Sequence, residues 1–273
     1  TRKVHSLILV PSFHAAERNN PRLLGLGKNL QSDGRPILGL DTKDLLEIVL
    51  ESSEESVLIP AHVWTPWFSL FGSKSGFDSV EECFEDLSGH IFALETGLSS
   101  DPEMNWRWSA LDRYTLVSNS DAHSPQKLGR EANLFHAGFT YADMVDALKT
   151  RRGFKGTIEF YPEEGKYHLD GHRKCGVCLE PEETLKTDGI CPVCGKPLTV
   201  GVMHRVLSLS DRKKGVRPES APGYTSLIPL PEVIAQIAGK GPAAKVVLEA
   251  YSAMISRYGD EFSLLRGVPE EEL

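Results

Sequence analysis

Short apolar runs alternate with amphipathic stretches over roughly the first 150 residues, after which the pattern changes. His5-Ser-Leu-Ile-Leu-Val10 reads as a strand, and the Gly- and Asn-rich stretch from Pro11 to Leu40 reads as a loop. Asp41 opens a helix whose apolar positions Leu45, Leu46, Ile48 and Val49 share a face, and Val57 to Ala61 is the next strand. Ser79-Val-Glu-Glu82 has the form of a capping box opening a helix through Leu87, which Gly89 stops. Ile91 to Leu94 is a strand ending at Glu95. A helix over Pro102 to Leu111 and a strand from Tyr114 to Val117 follow, running into Asp121. A strand from Ala132 to Phe135 and a helix from Tyr141 to Lys149 complete the series. Such alternation implies parallel βα units, as an open sheet or a barrel.

Past residue 150, Phe154 to Tyr161 and Lys166 to Leu169 flank Pro-Glu-Glu-Gly and read as a β-hairpin. A cysteine-bearing segment follows, then a Lys/Arg-bearing stretch from Met203 to Arg217 and a Pro/Gly/Ser linker from Pro218 to Tyr224. Two helices are expected near Leu230 to Ile237 and Ala243 to Tyr258.

At 273 residues and 40% hydrophobic, the chain can bury a full core in one large domain or two. No apolar run approaches the roughly 18 residues that a membrane span needs. A net charge of −8 argues against indiscriminate binding to nucleic acid but leaves room for a local basic groove. Opening on Thr1-Arg2-Lys3 and turning directly into a strand-like run, the chain reads as a fragment.

Four of the five cysteines form two CxxC pairs, which suits zinc in a reducing, cytoplasmic setting rather than secreted disulfides. Two such turns, Cys175-Gly-Val-Cys178 and Cys191-Pro-Val-Cys194, can complete a closed tetrahedral site of Cys175, Cys178, Cys191 and Cys194. A closed site holds a small fold together and leaves no position for chemistry. Cys83, mid-helix, reads as a small buried hydrophobe.

Asp121 and His123 lie two positions apart just past a strand, so both side chains point to one side. Alone, an Asp-x-His is ordinary loop chemistry. His5 and His62, each in a separate apolar run, change that reading. Imidazoles plus a carboxylate are the ligand set of a catalytic zinc or manganese site with open positions. Glu95 reads as a further ligand or as an acceptor orienting a histidine.

The order of strand-His, Pro60-Ala-His-Val-Trp-Thr-Pro66 and Ser120-Asp-Ala-His123, followed by the four-cysteine ribbon, resembles the polymerase-and-histidinol-phosphatase (PHP) superfamily. Trp67 to Phe77, Leu128-Gly-Arg-Glu-Ala-Asn133 and the Ile-Pro-Leu helix start extend the resemblance over nearly the whole chain, nearest to the superfamily's DNA-repair endonucleases. It implies an α/β fold: a distorted (β/α)7 PHP-type barrel, N-terminally truncated, followed by a zinc ribbon and a helical C-terminal region. The corresponding ranges are 1–152, 153–217 and an incomplete 218–273. It further implies up to three metal ions at the strands' C-terminal ends, of zinc or alternatively manganese or magnesium. His5 and His62 match the ligands of one metal, Asp121 a ligand of a second and His123 one of a third. The superfamily's opening His-x-His, two more histidines and a bridging Glu are expected before residue 1, and its C-terminal region is expected to continue past Glu272-Leu273.

The implied activity is a metal-dependent phosphodiesterase that nicks DNA 5′ to a deaminated base (uracil, hypoxanthine) or an abasic site, with Asp121 and His123 in catalytic roles. Such an enzyme must extrude a base from the stack. Trp64, Trp67, Phe68 and Phe71 directly follow His62 and are placed either to stack on that base or to cap the core. Lys127 and Arg130 are expected to meet phosphates. Further basic residues stand at Arg151, Arg152, Arg173, Lys174, Arg212, Lys213, Lys214 and Arg217, with His172 at the ribbon. The expected partner is DNA containing damaged bases, with no membrane, and contacts with a sliding clamp or other repair proteins are left open. Two alternatives stay open: a PHP phosphoesterase for a small phosphorylated molecule, which has no use for a ribbon, and a non-catalytic zinc-ribbon DNA-binding protein.

Overall fold

The structure, a computed structural model, describes residues 2–30 and 36–269, so the Glu272-Leu273 end and part of the Pro11 to Leu40 stretch lie outside the described residues. The chain begins with β1 (Ser6–Leu9), α1 (Phe13–Gly25), α2 (Thr42–Ser52) and β2 (Val57–Pro60). A helix therefore stands where a loop is expected from the sequence. Ser12 caps it, its Oγ accepting from the Ala15 N–H at 3.2 Å, and Ala15, Asn19 and Leu23 bury one face at four-residue spacing. That buried face includes an Asn, and Pro21 lies within the helix, so apolar periodicity does not reveal it.

Next come α3 (Val80–Phe84), β3 (Ala93–Glu95), α4 (Pro102–Trp106), β4 (Thr115–Val117), β5 (Ala132–Phe135), α5 (Tyr141–Thr150) and β6 (Phe154–Glu159). Half of the expected capping box forms: Ser79 Oγ accepts from the Glu82 N–H at 2.9 Å, while the Glu82 carboxylate accepts from the Asp78 N–H at 2.8 Å. Two helices are shorter than expected, α3 passing into a 3₁₀ turn over Glu85–His90 and α4 being followed by another over Ser109–Leu111. Cys83 is buried, and burial pushes its thiol up to about 12.

The expectation of uniformly parallel strands is corrected. β3 and β4 are parallel, but β1 pairs antiparallel with β2. The connection through α1 and α2 is long enough to return the chain in either direction, so its length does not dictate parallel pairing. The described strands form separate sheets whose hydrogen-bond ladders do not close into a barrel. Backbone bonds past the strand ends still join neighbours: Val63 N–H to Glu95 O at 3.1 Å, and Thr96 N–H to Val117 O at 2.9 Å. The chain segments leaving β2, β3 and β4 therefore lie side by side.

The second half contains β7 (Asp170–His172), β8 (Val177–Leu179), α6 (Pro181–Lys186), α7 (Val202–Leu209), β9 (Gly223–Ser226), α8 (Leu230–Ala238), α9 (Lys245–Tyr258) and α10 (Glu261–Gly267). The expected hairpin of Phe154–Tyr161 with Lys166–Leu169 does not form. β6 instead pairs antiparallel with β5 and parallel with β9. With nearly every residue buried, β6 is a central strand, which takes partners on both sides. The expected linker likewise contributes β9. Its first residue crosses β6 so closely that a Cβ at Gly156 would meet Gly223 O at 1.9 Å, and Gly156 has φ +135°. Only glycine fits there.

One core cluster unites the two halves. Trp64, Phe71, Phe84 and Leu94 pack with Val202 and Val206 of α7. Among the described residues, no helix is long and apolar enough to cross a membrane.

Candidate active site and metal centre

His5 and His62 come together. His5 enters β1 and His62 leaves its partner β2, and His5 Nδ1 lies 2.8 Å from His62 Nε2. The other nitrogen of His62, Nδ1, is 3.0 Å from Thr65 Oγ1, which itself donates to Trp67 O at 2.9 Å. His62 has φ +32°, a conformation that non-glycine residues rarely hold unless their surroundings force it. The forcing contacts are visible. Glu95 Oε2 accepts the His62 N–H at 2.8 Å, and a Cβ on Gly97 (φ +59°) would meet His62 Cβ at 2.6 Å. Gly97 therefore makes room for His62.

Of the two roles that the sequence leaves open for Glu95, its contacts are those of an orienting acceptor. Its Oε1 accepts from Asn119 Nδ2 at 2.6 Å, and Asn119 is held by Asn133 Nδ2 at 3.0 Å. Burial pushes the Glu95 carboxyl above the usual range, with the two donors opposing and the charge of Asp121 adding to the rise.

Asp121 and His123 are exposed, on a loop shaped by Arg130, whose Nε and Nη2 both donate to Ser120 O at 3.0 and 2.9 Å. Asp121 has φ +43°, and its carbonyl is 2.8 Å from His123 Nδ1. Among the described residues, neither joins His5 and His62 in a group of donors that all lie within 4.8 Å of one another. Among the described residues, no third donor lies within 4.8 Å of both imidazoles. Two nitrogen donors fit part of a catalytic zinc set, which uses three protein ligands.

Sequence reasoning misses a buried acidic layer beside this site. Glu159, at the end of β6, receives Thr96 Oγ1 at 2.9 Å and Ser118 Oγ at 3.0 Å, with Thr157 Oγ1 as a further donor. Glu131 is buried nearby, and its Oε2 has no hydrogen-bond partner. Burial pushes Glu131 up to about 9, reinforced by Glu159, and pushes Glu159 up to about 8 against its three hydroxyl donors. The available signal is a carboxylate inside an apolar strand, in Phe154-Lys-Gly-Thr-Ile-Glu159-Phe.

The four aromatic residues separate. Trp64 is fully buried, its Nε1 donating to Asn105 Oδ1 at 2.8 Å, and Phe71 packs beside it against Trp108. Neither can meet a base, which corrects the expectation for Trp64. Trp67 and Phe68 are 42% and 41% exposed. Lys127 is paired with Glu232 of α8 at 2.6 Å, so its charge is already compensated.

The ribbon differs from the expected four-thiolate site. The donors that converge are His172, Cys175, Cys191 and Cys194, all within 4.8 Å of one another, with His172 Nδ1 at 3.2 Å from both Cys175 Sγ and Cys194 Sγ. Cys178 is exposed in β8 opposite Gly171 and stands outside this group. His172 at the end of β7 takes its place in the group. Three thiols and an imidazole are a structural zinc donor set, so these residues fit the metal.

A model of the MJ0043 C-terminal domain family matches residues 229–273. The chain is 35% identical over 236 residues to the uncharacterized protein MJ0043 of Methanocaldococcus jannaschii, covering 84% of this chain and 29% of that protein. The solved lesion-specific endonuclease PfuEndoQ from Pyrococcus furiosus superposes with a TM-score of 0.86 at 31% identity, over 98% of this chain and 66% of that one. A structure of endonuclease Q with a 27-mer duplex substrate, an abasic lesion at its active site, gives 0.88 at 31% identity, over 99% and 68%. The chain thus spans less than a third of MJ0043 and about two thirds of the endonuclease Q structures.

Proposed function

We propose, from the premise that this chain belongs to the endonuclease Q family, that it forms part of a DNA-repair endonuclease of the PHP class that nicks DNA 5′ to a deaminated base or an abasic site. The observation that carries this reading is the His5–His62 imidazole pair, 2.8 Å apart and held in place by Glu95 and Gly97. Residues that hold two histidines in a strained, pre-set arrangement suit a centre whose geometry must not relax. In this reading His5 and His62 hold a divalent metal, with Asp121 and His123 offered from the next loop. Such a metal supplies charge neutralisation and an acidic water at a phosphodiester. Glu95 keeps His62 oriented through its backbone, and Arg130 shapes the Asp121 loop. His172, Cys175, Cys191 and Cys194 hold a structural zinc.

The test is cleavage of end-labelled duplexes carrying uracil, hypoxanthine or an abasic site, with magnesium, manganese or zinc added. A nick 5′ to the lesion, absent from undamaged duplex, is the expected result. Turnover of a sugar phosphate with no nicking would replace this reading with a small-molecule phosphoesterase. One observation favours a second reading: among the described residues, four donors converge only in the ribbon. A non-catalytic zinc-ribbon DNA-binding protein would bind the duplexes and cut none of them.

A further inference from the structure

Several of the cations expected to meet phosphates are engaged within the molecule. Arg151 donates to the carbonyls of Asp112 and Tyr114, and Arg212 pairs with Asp112. Others face solvent beside aromatic rings, Phe68 exposed and Tyr167 half-buried. Lys3 Nζ lies 5.0 Å above the Phe68 ring and Lys166 Nζ 5.1 Å above the Tyr167 ring. Trp67 meets Tyr167 edge to face at 5.3 Å between centroids. Neither lysine makes an ion pair with a described residue. Phe68 and Trp67 are consecutive on one turn and Trp67 meets Tyr167, with one lysine over the Phe68 ring and another over the Tyr167 ring.

This arrangement is built, not incidental. Phe68 sits at φ +59°, a left-handed conformation that is an outlier for a bulky side chain. The His5 N–H holds it there by donating to Phe68 O at 3.0 Å, and Thr65 Oγ1 holds Trp67 O. Tyr167 lies on the segment that leads into the ribbon, and its carbonyl is pinned by the Val202 N–H at 2.9 Å. A strained turn that presents two aromatic side chains to water suits a ligand with flat apolar faces. Lysines without carboxylate partners, in a chain of net charge −8, make that ligand anionic.

We propose that Phe68, Trp67 and Tyr167, flanked by Lys3 and Lys166, form a stacking strip for unpaired nucleobases of single-stranded or locally opened DNA, with Tyr167 as a recognition residue. The inference deepens the DNA reading above and rests on it, but it concerns binding of bases rather than cleavage. Stacking tolerates any base, and lysine ends contact phosphates without reading sequence.

Anisotropy of a labelled oligothymidylate tests it. Tyr167→Ala and Trp67→Ala should each weaken binding about 5- to 160-fold, as loss of one stacked base implies. Tyr167→Phe should stay within about twofold, since the ring is kept. Tyr167→Leu keeps apolar bulk without a flat face and should weaken binding as Tyr167→Ala does, which guards against a packing defect. Lys3→Ala with Lys166→Ala should lower the slope of log affinity against log salt by about 0.7 per charge. Wild-type affinity in Tyr167→Leu overturns the strip. So does an equal loss toward heparin, a polyanion without bases. Tyr167-dependent binding in a protein that nicks no lesion leaves the strip standing and removes the endonuclease reading, whereas nicking with unaltered oligothymidylate binding removes the strip alone.

Discussion

Glu95 holds His62 by its backbone: Oε2 accepts the His62 N–H at 2.8 Å while Oε1 accepts from Asn119. Both carboxylate oxygens thus meet donors. A glutamine can offer an oxygen to only one of them and turns its NH₂ toward the other. Glu95→Gln should destabilise the protein by about 1–3 kcal/mol, the cost of a buried donor left without an acceptor. Thermal unfolding measures this, and an unchanged melting temperature would mean that the His62 turn is held by other contacts.

Gly97→Ala should be as damaging, for a steric reason. Its φ of +59° costs an L-residue roughly 1–2 kcal/mol, and the new methyl would press on His62 Cβ. The expected result is a lower melting temperature together with weaker binding of divalent metal. Calorimetric titration of wild type and variant with manganese provides the second readout.

The ribbon's donor set makes a four-way prediction. Cys175→Ser, Cys191→Ser and His172→Ala should each lose about one zinc per chain and loosen the ribbon, because a structural site contributes its binding energy to folding. Cys178→Ser should retain the metal. Elemental analysis after dialysis decides between this set and four thiolates. Zinc loss on Cys178→Ser with retention on His172→Ala would restore the thiolate reading.

Stability should fall as pH rises, and Glu131 is the group to probe. Its folded value is pushed up to about 9 and that of Glu159 to about 8, whereas an unfolded glutamate titrates near ~4.3. Raised values mean that the fold favours the protonated forms. Their contribution is whole below the unfolded value, declines above it, and is lost once pH passes the folded values. Glu131→Gln is uncharged at every pH. It should match wild type near pH 4 and be increasingly the more stable as pH rises toward 9, with each kcal/mol worth roughly 2–4 °C in melting temperature. Parallel melting curves for the two proteins across that range would refute the idea.

Local pattern explains which parts were legible in the sequence. β2 and β3 stand out as apolar runs because they are buried on both faces, and His62 stands out as a polar residue at the end of one. α1 is hidden because its buried face includes Asn19. The β6–β9 pairing is hidden because it joins residues far apart in the chain, and a Pro/Gly-rich stretch looks the same as a linker or as a strand that needs Gly223. The CxxC spacing offers a complete set of four thiols, so nothing directs attention to His172. Trp64 and Trp67 read alike in sequence because an irregular turn has no period to say which ring faces inward. Glu131 and Glu159 become meaningful only once tertiary burial puts them side by side.

The segment around the ribbon leaves and rejoins the molecule at nearly one point. The carbonyls of Tyr167 and His168 accept the N–H groups of Val202 and Met203, both at 2.9 Å, and the Asp170 carboxylate takes the Gly201 N–H at 2.6 Å. The chain between is therefore a closed side loop whose base is sealed independently of its tip. Melting it releases only its own chain entropy, so its unfolding need not spread to the rest. Substituting a short turn between residues 171 and 199 would leave the base contacts at Tyr167, His168, Asp170 and Val200 intact, making the ribbon a detachable accessory.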